Sequence, residues 1–74
     1  MMFDYSKLLG KIKERGYTQE TLAAAIGMTE ATLSMKLNNK AFFKQREIKA
    51  ICDVLGIPDE EVGVYFFAPK VQKN

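Results

Sequence analysis

Only two residues, Gly27 and Met28, separate two predicted helices in the first half of the chain. The helix before this connection, the second of the chain, begins at Thr18, a hydroxyl residue that can cap a helix, and it stops at Gly27. Thr29 is a second capping residue, and the next helix is predicted over Glu30–Leu37. A connection this short forces the two helices to meet at a fixed angle, which excludes a single continuous rod.

Apolar residues recur at helical spacing in other segments, which predicts an all-α chain with five helices. A first helix is expected over residues 4–15, a fourth over Gln45–Leu55 and a fifth from Pro58 to the Ala68-Pro69 stop. The inward positions of the first and fourth helices are Tyr5, Leu8, Leu9, Ile12, Ile48, Ile51, Cys52 and Leu55. We therefore expect one domain over residues 1–68, followed by a polar tail over residues 69–74.

Composition excludes several classes of protein. A chain of 74 residues holds one small domain, and its single cysteine, Cys52, leaves no intrachain disulfide. The chain has no histidine, no glycine-rich phosphate loop and no recognisable nucleophile–base pair, so we expect no enzyme activity, no metal, no cofactor and no small-molecule substrate. No apolar run approaches about 20 residues and the start lacks a signal-peptide pattern, so a cytoplasmic protein without a membrane partner is expected.

The third helix has an outer face suited to DNA. With Leu33 inward and 100° per residue, the outward and flanking positions are Ala31, Thr32, Ser34, Met35 and Asn38. Methyl and thioether groups suit thymine methyls, and hydroxyls suit bases or phosphates. Glu30 lies at the helix start, where it could swing out to a cytosine amino group. This arrangement predicts a recognition helix at about residues 29–38 that enters a major groove.

Basic residues are concentrated at the end of this helix and in the segment that follows it, although the net charge is only +2. They are Lys36, Lys40, Lys44, Arg46 and Lys49, against the single acid Glu47. A near-neutral total can hide a basic face, so this stretch predicts contact with DNA phosphates, with a solvated surface as the alternative.

The segments Thr18-Gln19-Glu20-Thr21-Leu22-Ala23, Ile26-Gly27-Met28-Thr29 and Leu33-Ser34 resemble the lambda-repressor-like helix-turn-helix family, also called the XRE or Cro/C1-type family. The string from Thr32 to Lys40, followed by Phe42-Phe43 and Glu47-Ile48, is similar to short phage and prophage regulators of the Cro or repressor kind. The resemblance covers about residues 4–57. It implies a compact five-helix domain that binds a two-fold operator in double-stranded DNA as a dimer.

The resemblance also implies individual contacts. It gives a phosphate contact to Gln19, base reading to Glu30, Ala31, Ser34 and Met35, and phosphate contacts to Asn38 and Lys40. Thr29 is a helix cap first and a phosphate ligand second. Two positions depart from the family: Lys36 stands where many members are apolar, and Lys44 stands where a hydroxyl or asparagine usually caps the fourth helix.

The aromatic residues need a separate account. Five of them, Phe42, Phe43, Tyr65, Phe66 and Phe67, are too many for a domain of this size to bury, even with packing on the first helix, Met2 and Phe3. Large exposed apolar patches usually mark an interface. We expect a symmetric homodimer contact through Val62, Tyr65 and Phe66 of the last helix, and the alternative is a monomer with these rings folded inside.

Two functions are therefore open. The first is a sequence-specific transcriptional regulator that occupies an operator. The second is a protein-interaction module of the antitoxin or antirepressor type, built on the same fold. An antitoxin usually has an extra disordered segment to cover its toxin, and only a short tail follows Pro69 here.

Overall fold

Five α-helices form the regular structure of this chain in a computed structural model, which describes residues 2–71. Their bounds are α1 Ser6–Glu14, α2 Gln19–Ala25, α3 Glu30–Leu37, α4 Gln45–Leu55 and α5 Val62–Phe66, with a short 3-10 turn at Asp59–Glu61. The described residues contain no β-strand beyond one isolated bridge. The predicted all-helical chain with five helices is confirmed. No helix within residues 2–71 combines the length and the apolar character that crossing a membrane requires.

The starts of α2 and α3 follow directly from two threonines. The Thr18 hydroxyl accepts the main-chain N–H of Thr21 at 3.1 Å, and the Thr29 hydroxyl accepts that of Thr32 at 3.2 Å. Each bond satisfies a donor that a helix start leaves unpaired. Gly27 has a φ of +74°, a conformation that glycine adopts without steric cost, and it turns the chain between the two helices.

The start of α4 uses a different device, because Lys44 has no hydroxyl to offer. The carboxylate of Glu47 in the first turn reaches back and accepts the main-chain N–H of Lys44 at 2.8 Å. Gly56 then ends the helix with a φ of +71°. The predicted bounds of α4 match the observed ones.

The core lies between all five helices. Its buried members are Tyr5, Leu8, Ile12, Leu22, Ala23, Leu33, Leu37, Ile51, Cys52, Leu55, Ile57 and Phe66. Leu9, predicted on the inward face of α1, remains 40% exposed, because Tyr5, Leu8 and Ile12 fill the contact with the core.

The two ends of the described chain lie side by side. Phe3 and Pro69 form an antiparallel bridge. The main-chain N–H of Asp4 donates to the carbonyl of Ala68 at 2.7 Å, and that of Lys70 donates to the carbonyl of Met2 at 3.1 Å. Residues 69 and 70, predicted to begin a polar tail, therefore pack on the domain, whereas residues 72–74 of that tail lie outside the described residues.

Candidate protein-interaction surface

A continuous row of aromatic rings runs from the core to the surface. Buried Phe66 packs edge-on against Phe43, with ring centroids 5.4 Å apart, and Phe43 packs edge-on against Tyr5 at 5.5 Å. Tyr5 contacts Phe3 at 6.2 Å, and Phe3 meets Phe67 edge-on at 5.8 Å. Edge-to-face pairs of this kind are favourable beyond the area they bury. The core therefore supports the outermost rings directly.

The outer end of this row is open to solvent. Phe67 is 52% exposed, and Phe42 beside the row is 74% exposed. A small cleft of about 40 Å³ lies between the rings and joins both residues to the same patch. We call the patch of Phe3, Phe42, Phe43 and Phe67 the aromatic surface. Because the transfer of large apolar side chains out of water lowers the free energy, this patch is the candidate surface for a partner.

The α3 residues predicted to contact DNA lie along one side of the helix, where several of the polar groups already have partners. Ala31 and Glu30 are exposed, and Met35 is 48% exposed. The amide nitrogen of Asn38 donates to the Ser34 carbonyl at 2.8 Å within the same turn. Thr32 is half-buried, and its hydroxyl accepts a bond of 2.8 Å from the hydroxyl of the capping Thr29. The side chains of Thr29, Thr32 and Asn38 are therefore engaged in bonds within α3 and its cap.

Lys36, predicted to contact phosphate, is a buried residue, and that prediction is wrong. Its side chain is 7% exposed, and its Nζ lies 2.5 Å from Oε1 of Glu47 on α4. Burial by itself raises the pKa of the Glu47 carboxyl. Hydrogen bonds from Lys36 and the Lys44 main chain, with the charges of both lysines, outweigh that effect and hold the pKa below its ordinary value. Packing of α3 on α4 thus removes this cation from the surface.

The other charged residues of α2, α3 and the segment that follows α3 form two groups of opposite sign. On α2 and α3 the exposed charged residues are Glu20 and Glu30, since Lys36 is enclosed. After α3, the cations Lys40, Lys44 and Arg46 are exposed, and no carboxylate of residues 2–71 forms an ion pair with them. Nζ of Lys49 instead lies 3.3 Å from Oδ1 of Asp53.

Gln19, predicted to bind a phosphate, is half-buried at the start of α2.

The predicted homodimer contact requires a correction at Phe66. This side chain is 1% exposed, so it belongs to the core and offers no surface to a second copy. Val62 and Tyr65 are half-buried against the same core, and Nζ of Lys11 lies 5.8 Å from the centroid of the Tyr65 ring. The exposed aromatic residue is the next one along, Phe67, because one step along a helix changes the direction of a side chain by about 100°.

The chain belongs to the family described as "Protein of unknown function (DUF739)", whose defining pattern matches residues 1–69. It is also similar to a solved structure, the solution structure of the modulator of repression (MOR) of the temperate bacteriophage TP901-1 from Lactococcus lactis. The identity is 44%, the match covers 97% of each chain, and the TM-score is 0.78. No curated protein matches the chain.

These findings overturn the assignment to the lambda-repressor-like family. The pattern from Thr18 to Lys40 predicted a member of the Cro-type and C1-type repressors. The family is instead DUF739, and the similar solved structure is that of a modulator of repression. The reason is physical, because a capped helix pair around a glycine turn specifies a packing arrangement and does not specify its ligand.

Proposed function

We propose that this chain is an antirepressor-type protein-interaction module of a phage or prophage, which modulates repression by binding a repressor protein. The observation that carries the proposal is the 44% identity to a phage modulator of repression across 97% of both chains. The match spans nearly all of both chains and is not confined to one helix pair. The proposal therefore concerns the partner class as well as the fold.

The aromatic surface is the part of the chain that we assign to the repressor. Phe42 and Phe67 are the most exposed phenylalanines in residues 2–71. Phe67 ends the row of rings that is anchored in the core, and Phe42 lines the cleft beside that row. Aromatic anchors held by a rigid support are the residues that dominate the free energy of protein association. Lys40 and Lys44 flank Phe42 in the sequence and supply a polar rim.

We further infer that α2 and α3 form a helix-turn-helix that serves here as a scaffold. The glycine turn at Gly27 and the Thr29 cap support this geometry. The exposed charges of these two helices, Glu20 and Glu30, are both negative, which opposes the close approach of DNA phosphates. This argues for a protein partner over an operator.

A second candidate, DNA binding, has one observation in its favour. Lys44 and Arg46 lie at the start of α4, where Arg46 also lines a groove with Ile26, Gly27 and Met28 of the α2–α3 turn. Two unpaired cations beside a helix start can hold phosphates. Titration of duplex DNA at two salt concentrations tests it. Lys44→Ala/Arg46→Ala should lower any affinity and its salt dependence, while Lys13→Ala, on the exposed part of α1, should change neither.

The repressor proposal is tested by isothermal titration calorimetry with the repressor encoded in the same phage or prophage genome. Phe42→Ser and Phe67→Ser are each expected to weaken binding by about tenfold or more, the range of an interface anchor. Val64→Ser is the matched control, because Val64 is 45% exposed and does not line the aromatic cleft. Absence of binding by the parent chain contradicts the proposal, and an equal loss in all three variants contradicts the assigned surface.

A further inference from the structure

The side chain of Asn39 bonds to both main-chain groups of Phe3, its N–H and its carbonyl. Oδ1 of Asn39 accepts the N–H of Phe3 at 2.8 Å, and Nδ2 donates to the carbonyl of Phe3 at 2.9 Å. The two residues are far apart in sequence, and the contact is partly buried. An amide carries its acceptor and its donor on two separate atoms of one short planar group, so it can bond to the N–H and the carbonyl of the same residue at once, whereas a hydroxyl offers both through a single oxygen.

This contact completes a strand-like pairing pattern. The carbonyl of Met2 and the N–H of Asp4 bond to residues 70 and 68 on one side of the segment. The N–H and carbonyl of Phe3 therefore point to the other side, since main-chain groups alternate along an extended chain. There the amide of Asn39 takes the place of a neighbouring strand. Phe3 is thus fixed on both edges.

Asn39 also directs the chain toward Phe42. Its φ of +62° is the only positive value among the non-glycine residues described, and it turns the chain out of α3 into the segment that carries Phe42. Asparagine tolerates this conformation better than most residues. One residue therefore orients two parts of the aromatic surface, Phe42 through its main chain and Phe3 through its side chain.

We propose that Asn39 is a positioning residue for the aromatic surface, which holds Phe3 against Phe67 without contacting the partner. This inference rests on the function proposed for that surface. Glycine at this position keeps the positive φ without steric cost but lacks the amide, whereas aspartate keeps the acceptor and loses the donor. The two requirements together select asparagine.

The test compares Asn39→Gly and Asn39→Asp with Asn38→Ala, a neighbouring asparagine whose amide bonds only within its own turn. The first readout is hydrogen exchange of the Phe3 amide by NMR, together with the near-ultraviolet circular dichroism of the aromatic rings. Asn39→Gly should expose the Phe3 amide to exchange and change the aromatic signal. Asn39→Asp should leave that amide protected by its acceptor and still change the aromatic signal.

The second readout is affinity for the phage repressor. Asn39→Gly should weaken binding by about tenfold, as for loss of a pre-organised surface, while Asn38→Ala should match the parent. Unchanged exchange at Phe3, or faster exchange with undiminished affinity, overturns the positioning role. If the parent chain does not bind the repressor, the proposed function fails, and the exchange and dichroism results alone then support or overturn the positioning of Phe3.

Discussion

Lys36 of α3 and Glu47 of α4 form an ion pair of 2.5 Å in which the lysine side chain is almost completely enclosed. The same carboxylate oxygen accepts the main-chain N–H of Lys44 at 2.8 Å. One acidic side chain therefore joins the end of α3, the segment that carries Phe42 and the first turn of α4. The position of the aromatic surface depends on this contact as well as on the apolar core.

Removal of Glu47 should destabilise the fold more than removal of an exposed acid. Glu47→Ala leaves the Lys36 ammonium enclosed without a partner and removes the cap of α4, so we expect the free energy of unfolding to fall by about 3 kcal/mol. Asp53→Ala breaks an exposed pair with Lys49 and should cost less than about 1 kcal/mol. Urea unfolding measures both. Equal losses in the two variants contradict a structural role for the enclosed pair.

The same carboxylate should make stability depend on pH. The pKa of Glu47 is lower in the folded chain than its ordinary value, so the folded state binds this proton less readily than the unfolded state. The stabilisation is present above the ordinary pKa of 4.5 and is lost as the pH falls through the lower pKa of the folded chain. Thermal unfolding over this fall in pH should show a smaller decline for Glu47→Gln than for the parent. Glu60→Gln, at an exposed position, should follow the parent curve.

Phe66 and Phe67 are neighbours with opposite roles. Phe66→Ala should lower the free energy of unfolding by about 3–5 kcal/mol, because it empties a fully enclosed position behind Phe43. Phe67→Ala removes a half-exposed ring and should cost less than about 1.5 kcal/mol. Chemical unfolding of the pair decides the point. A larger loss at Phe67 is incompatible with its assignment to a surface.

Cys52 should be unreactive in the folded chain. Its side chain is 3% exposed, and burial, followed by the charges of Asp53 and Asp59, raises the pKa of the thiol. Since the thiolate is the reactive form, alkylation by iodoacetamide at pH 8 should be slow, and urea should accelerate it to the rate of an unfolded cysteine. Mass spectrometry follows the reaction. Similar rates with and without urea would contradict the buried position.

Local signals predicted the helices well. The caps Thr18 and Thr29 and the turn at Gly27 all act within a few residues, and the structure confirms each of them. The bounds of α4 followed from its apolar spacing and from Gly56. Helix caps and glycine turns depend on residues that are close in sequence, so they can be predicted from a single sequence.

Long-range partners could not be predicted in the same way. Lys36 was predicted to contact DNA phosphates. Its burial could not be predicted, because its ion-pair partner Glu47 lies on another helix and the contact depends on how α3 packs on α4. Phe66 was predicted at an interface and lies in the core, while its neighbour Phe67 is exposed. The sequence does not show which side of the last helix faces the core. The contact between Asn39 and Phe3 joins two loops that carry no periodic pattern.

The function was harder to predict from the sequence than the fold. Ala31 and Met35 are exposed as expected and Ser34 is half-buried, yet the comparison with a modulator of repression supports a different partner from the one first inferred. The surplus of aromatic residues was the more informative signal, and its predicted location required the correction at Phe66.

The bridge between Phe3 and Pro69 has a consequence for synthesis on the ribosome. Helices α1 to α4 can pack as they emerge, but Phe3 acquires its full set of neighbours only after the last described residues have left the exit tunnel. A nascent chain therefore lacks the complete aromatic surface even when its helices are formed. The surface would then form in one step, once residues 67–69 have left the tunnel.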